Sequence, residues 1–200
     1  MKGLVGVWDE TEDGFRLWDL SSARLLRTIS DPKTATFLGN PITVSLTPVE
    51  IAFADVDTAE ITIWDLSSPV MGREAKRRDW EDVLFSHCGK FLASSTKDEV
   101  HEAIVDIWDA ERGETSFRLN SGDIGSVICM TFSSDNSLLA FLWEDRGSPE
   151  LHTVISIWET ATWTIRHKFI LPIFRGKKPR QVNQILISPD NRRFAYTSFM

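Results

Sequence analysis

Four segments of the chain repeat one five-residue pattern: Phe15-Arg16-Leu17-Trp18-Asp19, Ile61-Thr62-Ile63-Trp64-Asp65, Val105-Asp106-Ile107-Trp108-Asp109 and Ile155-Ser156-Ile157-Trp158-Glu159. Each reads apolar, polar, apolar, Trp, acid, and the Trp residues stand 46, 44 and 50 residues apart. Alternation with a period of two is the pattern of a half-buried β-strand, whose successive side chains point to opposite faces. A helix would space its apolar residues by three and four, which none of these segments does. A unit that recurs every 44 to 50 residues is too small to bury its own apolar face and stacks on copies of itself.

A second set of segments repeats out of phase with the first. It comprises Thr47 to Phe53, Ser86 to Ser94, Ser133 to Phe141 and Ser188 to Tyr196, each a polar turn followed by a strand carrying a small Ala. Ser, Pro, Asp, Asn and Gly between two apolar runs mark a hairpin, and the Ala suits a strand that a neighbouring sheet approaches closely. Further strands precede these turns (Ile42 to Leu46, Val83 to Phe85, Val127 to Phe132, Val182 to Ile187). Others follow three of the Trp residues (Leu25 to Ile29, Ser116 to Leu119, Thr164 to Ile170). Each unit is thus four antiparallel strands, a-b-c-d, with the Trp closing strand c. The expected fold is all-β, a β-propeller segment of about four blades. Residues 1–30 form a partial b-c-d blade, 42–78, 80–120 and 124–171 form complete blades, and 181–200 form a partial a-b blade. Because the strands at the two ends do not complement one another, the expectation is an incomplete or open arc, a fragment of a longer repeat protein.

Trp18-Asp19, Trp64-Asp65 and Trp108-Asp109, the last two preceded by a turn-plus-Ala strand, resemble the repeats of the WD40 family; Trp158-Glu159 is a degenerate fourth copy. The resemblance covers essentially the whole chain. In that family a Gly-His pair opens the repeat, and its His joins a hydrogen-bond network with a Ser or Thr, a turn Asp and the Trp. No Gly-His occurs here, and Ser94, Asp98 and Trp108 are what remains to build such a network. The resemblance implies a protein-interaction scaffold, as in adaptors, ubiquitin-ligase receptors and sensor regions of signalling NTPases. The run Ser188-Pro189-Asp190-Asn191-Arg192-Arg193-Phe194-Ala195-Tyr196-Thr197-Ser198 is also similar to TolB-like and prolyl-oligopeptidase-type propellers. The alternative function is therefore a propeller that gates a hydrolase domain encoded elsewhere.

Composition and motifs narrow the function. With 22 Lys plus Arg against 29 Asp plus Glu and a net charge of −7, nucleic acid is not the expected partner. No run approaches the roughly 18 apolar residues of a membrane span, and the apolar start at Leu4 to Trp8 is short for a signal-peptide core. The expectation is an intracellular protein, cytoplasmic or nuclear, that does not bind membrane. Two cysteines, Cys88 and Cys129, supply neither a disulfide framework nor a Cys-rich zinc site. His101-Glu102 begins like a zinc-binding helix motif, but position 105 is Val and the context is a strand. There is no nucleophile elbow and no phosphate-binding loop. His87 beside Cys88 reads as an ordinary exposed turn, and Cys129 as a small core residue. No enzyme activity, cofactor, metal or small-molecule substrate is expected.

The connections carry the remaining signal. The a–b and c–d turns, at one end of each sheet, are short, whereas the b–c and d–a connections at the other end hold nearly all the extra length. Scaffolds present recognition residues on such loops. The b–c connections are acidic (Glu10, Glu12, Asp13; Asp55, Asp57, Glu60; Asp98, Glu99, Glu102; Glu144, Asp145, Glu150), and two d–a connections are basic. The candidate partner-binding residues are Arg73, Lys76, Arg77, Arg78 and Trp80 in one, and Phe174, Arg175, Lys177, Lys178 and Arg180 in the other. Arg and aromatics together are the composition of interface hot spots. The competing reading is a solvated loop pair neutralised by the acidic loops beside it.

Overall fold

The computed structural model describes residues 4–9, 14–19, 21–29, 42–46, 49–55, 60–65, 73–76, 80–97, 102–147, 152–171 and 181–199. The chain divides into two compact units, Met1–Asn40 and Pro41–Met200. In the first, β1 (Leu4–Asp9), β2 (Gly14–Asp19) and β3 (Arg24–Ile29) form one antiparallel sheet in sequential order.

The second unit is a succession of antiparallel sheets. The strands β4 (Ile42–Leu46), β5 (Val49–Asp55), β6 (Glu60–Asp65) and β7 (Arg73–Lys76) make a four-stranded sheet. The next two blades share a strand. Blade 3 is β8 (Trp80–Phe85), β9 (Phe91–Lys97), β10 (Glu102–Asp109) and the first part of β11 (Glu114–Phe132); blade 4 is the second part of β11 with β12 (Leu138–Asp145), β13 (His152–Glu159) and β14 (Thr164–Leu171). β15 (Gln181–Ile187) and β16 (Phe194–Phe199) pair as a two-stranded sheet in the a and b positions of a further blade. The molecule is all-β and built of the four-stranded, up-and-down antiparallel blades of a propeller.

Burial explains the stacking. Along β12, Leu139, Phe141 and Trp143 join Ala93, Ala103, Val105, Ile107 and Leu119 of blade 3 in one core, and each of them is almost wholly buried. The alternate residues Leu138, Ala140 and Leu142 turn the other way and pack with Ile155, Ile157 and Ile185 of β15. The inner strands of blade 4 are therefore covered on both faces. The half-buried strand inferred from the repeat is corrected here: in β10 every residue from Ala103 to Trp108 is buried, the polar Asp106 included. Two-sided packing removes the solvent face that the alternation suggested. Ala93 and Ala140 are fully buried, as close approach requires, but Ala195 is exposed opposite the exposed Leu186.

One junction has no loop. β11 pairs with β10 from Glu114 to Ile124 and with β12 from Gly125 onward, so a single strand serves as d of one blade and a of the next. A Cβ at Gly125 would run into the Glu144 carbonyl oxygen and the Trp143 ring, which explains glycine there.

Candidate functional site

The three described a–b turns are built to one plan. In Ser86-His87-Cys88-Gly89, Ser133-Ser134-Asp135-Asn136 and Ser188-Pro189-Asp190-Asn191, the fourth amide donates to the first carbonyl at 2.9, 2.9 and 2.8 Å. The Ser hydroxyl accepts from the amide five residues on, at Phe91, Leu138 and Arg193, at 3.0, 2.9 and 2.9 Å. The fourth residue has a left-handed backbone, with φ of 70° at Gly89, 61° at Asn136 and 56° at Asn191, a conformation open to Gly and Asn. The third residue is Asp in two turns, and its carboxylate accepts from the Ser hydroxyl; in blade 3 the Cys88 thiol stands there, 3.5 Å from Ser86 Oγ. Hydrogen bonds from Ser133, Ser137 and Asn191 hold the Asp135 carboxyl far below the usual carboxylate range, and those from Ser188 and Arg192 lower Asp190. Successive turns are tied together: Asn136 Oδ1 accepts from the Cys88 amide at 3.1 Å, and Asn191 Nδ2 donates to Asp135 at 2.7 Å. His87 and Cys88 are exposed, as the sequence suggests.

The acids after Trp18 and Trp108 work in the c–d turn. Asp19 Oδ1 accepts from the amides of Ser21 and Ser22 at 2.7 and 3.2 Å, and Asp109 Oδ1 from those of Glu111 and Arg112 at 3.0 Å each. Glu159, one methylene longer, instead meets Arg166 at 3.8 Å. Its turn closes through Trp163, which donates to the Glu159 carbonyl at 2.7 Å with φ of 53°. A tryptophan in the left-handed region costs on the order of 1 kcal/mol. Burial against Phe91, with ring centroids 5.2 Å apart, offsets it.

The marker tryptophans are satisfied differently in neighbouring blades. Trp108 Nε1 donates to Ser94 Oγ at 2.9 Å, so the Trp–Ser part of the expected network exists without a His. In blade 4 the residue equivalent to Ser94 is Phe141, which stacks on Trp158 at 6.0 Å, and Trp158 Nε1 finds no acceptor among the described residues. The neighbouring polar position changes with it. Buried Asp106 accepts from Arg118 at 2.9 Å, whereas its equivalent Ser156 accepts from Trp143 Nε1 at 3.1 Å, with Lys168 Nζ 5.0 Å from a Trp143 ring centroid. Trp143 and Trp163 lie outside the repeated pentad, so the repeat pattern does not mark them.

At the inner strands, Asp82 of β8 lies opposite Ser95, whose hydroxyl is buried without a partner among the described residues. Desolvation pushes the Asp82 carboxyl up to about 6. Burial, helped by the charge of Asp82, pushes the Cys129 thiol up to about 11, so Cys129 is an inert core thiol.

The candidate binding residues are distributed unevenly. Arg73 and Lys76 are corrected from loop to strand: they begin and end β7, opposite Ile63 and Glu60. Ladder hydrogen bonds use backbone alone, and charged residues are well tolerated in such an edge strand. Trp80 opens β8 opposite Thr96. Arg77, Arg78, Phe174, Arg175, Lys177, Lys178 and Arg180 lie outside the described residues, as do Asp98 and His101. Several acidic residues assigned to b–c loops are likewise strand ends: Asp55 faces Glu60, Asp145 faces His152, and Glu102 begins β10. Among the described residues no three His, Cys, Asp or Glu side chains gather as metal ligands would.

No protein-family model matches this chain, and no curated protein matches it. Solved structures do. Hydrazine synthase of Kuenenia stuttgartiensis superposes with a TM-score of 0.69 at 14% identity, over 96% of this chain and 51% of that one. A chain of the mitotic checkpoint complex gives 0.64 at 18% identity, over 98% and 55%. A chain from the complex of KlAtg21 with the coiled-coil of AgAtg16 gives 0.68 at 14%, over 98% and 61%. The likeness is one of fold. This chain spans between about half and three fifths of the length of those chains.

Proposed function

We propose that this chain is a WD40-type propeller segment acting as a non-catalytic protein-interaction scaffold in the cytoplasm, with partners docking at the b–c and d–a end of its blades. The observation that carries the reading is the contrast between the two ends. The a–b and c–d turns are locked by recurring Ser, Asp and Asn hydrogen bonds and joined from blade to blade. The opposite end holds the long, charged connections, where one aromatic residue, Trp80 or Phe174, flanks each basic run in sequence. A rigid base with variable loops is the division of labour of a recognition scaffold. Two structurally similar chains come from protein complexes, which supports a protein as ligand.

The test is affinity capture with the full-length protein, comparing wild type with Arg77→Glu/Arg78→Glu and with Lys177→Glu/Lys178→Glu. Loss of a shared set of partners in either variant, with an unchanged circular dichroism spectrum, is the expected result. An undiminished partner set in both removes the reading. A nucleophile-elbow domain in the same reading frame would replace it with the hydrolase-gating function.

A further inference from the structure

The outermost strand of blade 4 is an exposed basic edge, a character it shares in Pro41–Met200 with no other described edge; in the first unit β3, with Arg24, Arg27 and the exposed Leu25 and Leu26, is of the same kind. β14 is terminal in its sheet, paired with β13 on one side and with no strand on the other among the described residues. Every residue from Thr164 to Ile170 is exposed. In a chain of net charge −7 this strand carries Arg166, His167 and Lys168 and no acid. Large apolar side chains follow directly, with Phe169 38% and Ile170 65% exposed. The outer segment of blade 3 has no such character: it contains Glu114, and its one arginine, Arg118, binds the buried Asp106.

We infer that β14 is a strand-addition site for an extended peptide of a partner protein, acidic at one end and apolar at the other. An edge strand directs every second N–H and C=O away from its single partner, and an added strand satisfies them. The pairing with β13 shifts between Ile157 and Trp158, leaving Arg166 as an extra residue, so the regular template runs from His167 to Leu171. Along it Lys168 and Ile170 lie on one face of the sheet and His167, Phe169 and Leu171 on the other. Antiparallel addition, the mode of every described pair, sets the order of the ligand: apolar residues first, opposite Leu171 to Phe169, then acidic residues opposite Lys168 and His167, with the bulge residue Arg166 beside the last of them. Arg166 meets Glu159 only at 3.8 Å, both half-exposed, a contact too weak to neutralise it. Lys168, over the Trp143 ring, adds its charge from the flank. The site rests on the scaffold reading only in taking a protein as ligand, and it lies on a surface other than the loop end.

The test uses the whole 200-residue chain and a fluorescent, acetylated decapeptide containing Val-Thr-Val-Asp-Glu-Asp, followed by anisotropy. Binding should weaken about tenfold or more in Arg166→Glu, weaken with rising salt, and vanish when alternate peptide amides are N-methylated. Lys168→Glu should behave like Arg166→Glu; because it also disturbs the Trp143 contact, Arg166→Glu is the decisive variant. Equal binding of the N-methylated peptide, or unchanged affinity in Arg166→Glu, overturns the proposal. So does binding to phosphatidylserine vesicles that outcompetes the peptide, which would make the strand a membrane contact. Failure here with intact capture by the loop end leaves the scaffold function standing.

Discussion

Trp108 and Trp158 occupy the same place in adjacent blades and solve the same problem differently. One donates its indole N–H to Ser94, and the other has a stacked Phe141 where that serine would be. A hydrogen bond of this kind is worth about 1 kcal/mol net, and stranding a buried donor costs about 1 to 3 kcal/mol. Trp108→Phe loses that bond while Trp158→Phe removes a donor stranded among the described residues, so Trp108→Phe should destabilise by about 2 to 4 kcal/mol more than Trp158→Phe, and Ser94→Ala should cost about 1 to 2 kcal/mol. Urea midpoints of the three variants measure this; equal costs for the two tryptophans would mean that neither the Ser94 contact nor the stranding of Trp158 contributes. The sequence shows both tryptophans as markers but not this difference, because the partner lies on another strand and its identity varies between blades.

At the level of strands, the alternating pentads and the Ser- and Asn-bearing turns are local signals, so the blades could be read from them. What they hide is whether the second face is covered. Asp106 and Ser156 look like solvent-facing polar positions until blades stack on both sides, and then each needs a partner, Arg118 or Trp143. Nor could the recurring bulge be read: the extra residue opposite the Trp is Leu26, Ser116 or Arg166, three residues with no chemistry in common. The burial contrast predicts amide exchange. The amides of β10, β12 and β13 should be the slowest in Pro41–Met200, and alternate amides of β14 should exchange far faster. Hydrogen-exchange mass spectrometry of the apo protein resolves the two, and protection of β14 equal to that of β12 would contradict the open edge.

For the molecule as a whole, one carboxyl sets an unusual pH response. The folded state holds a proton on Asp82 up to about pH 6, against 3.8 for an unperturbed aspartate, so it binds that proton more tightly than the unfolded chain does. The resulting stability is complete below about pH 4 and lost as pH rises through 6, a change of up to about 3 kcal/mol. The lowered carboxyls of Asp135 and Asp190 act with the opposite sign, losing their contribution as pH falls below the usual carboxylate range, so the two effects separate. Asp82→Asn should flatten stability between pH 4.5 and 7.5 and raise it at the upper end, as read from urea unfolding. An unchanged slope would show that Asp82 is better solvated than its burial implies. At this scale the candidate loop site stayed only partly legible: composition marked the basic runs, but nothing local reveals that Arg73 and Lys76 continue a ladder begun by β6.

The uninterrupted β11 also restricts how this protein can diversify. Where blades are joined by loops, residues can be added without disturbing either neighbour. Between blades 3 and 4 the joint is a paired strand with Gly125 pressed against the backbone of β12. A single inserted residue would reverse the facing of one half relative to the other and turn a core outward. Any new binding loop, tag or circular-permutation break therefore belongs at the other connections, and this seam acts as a fixed spacer between two blades that move together.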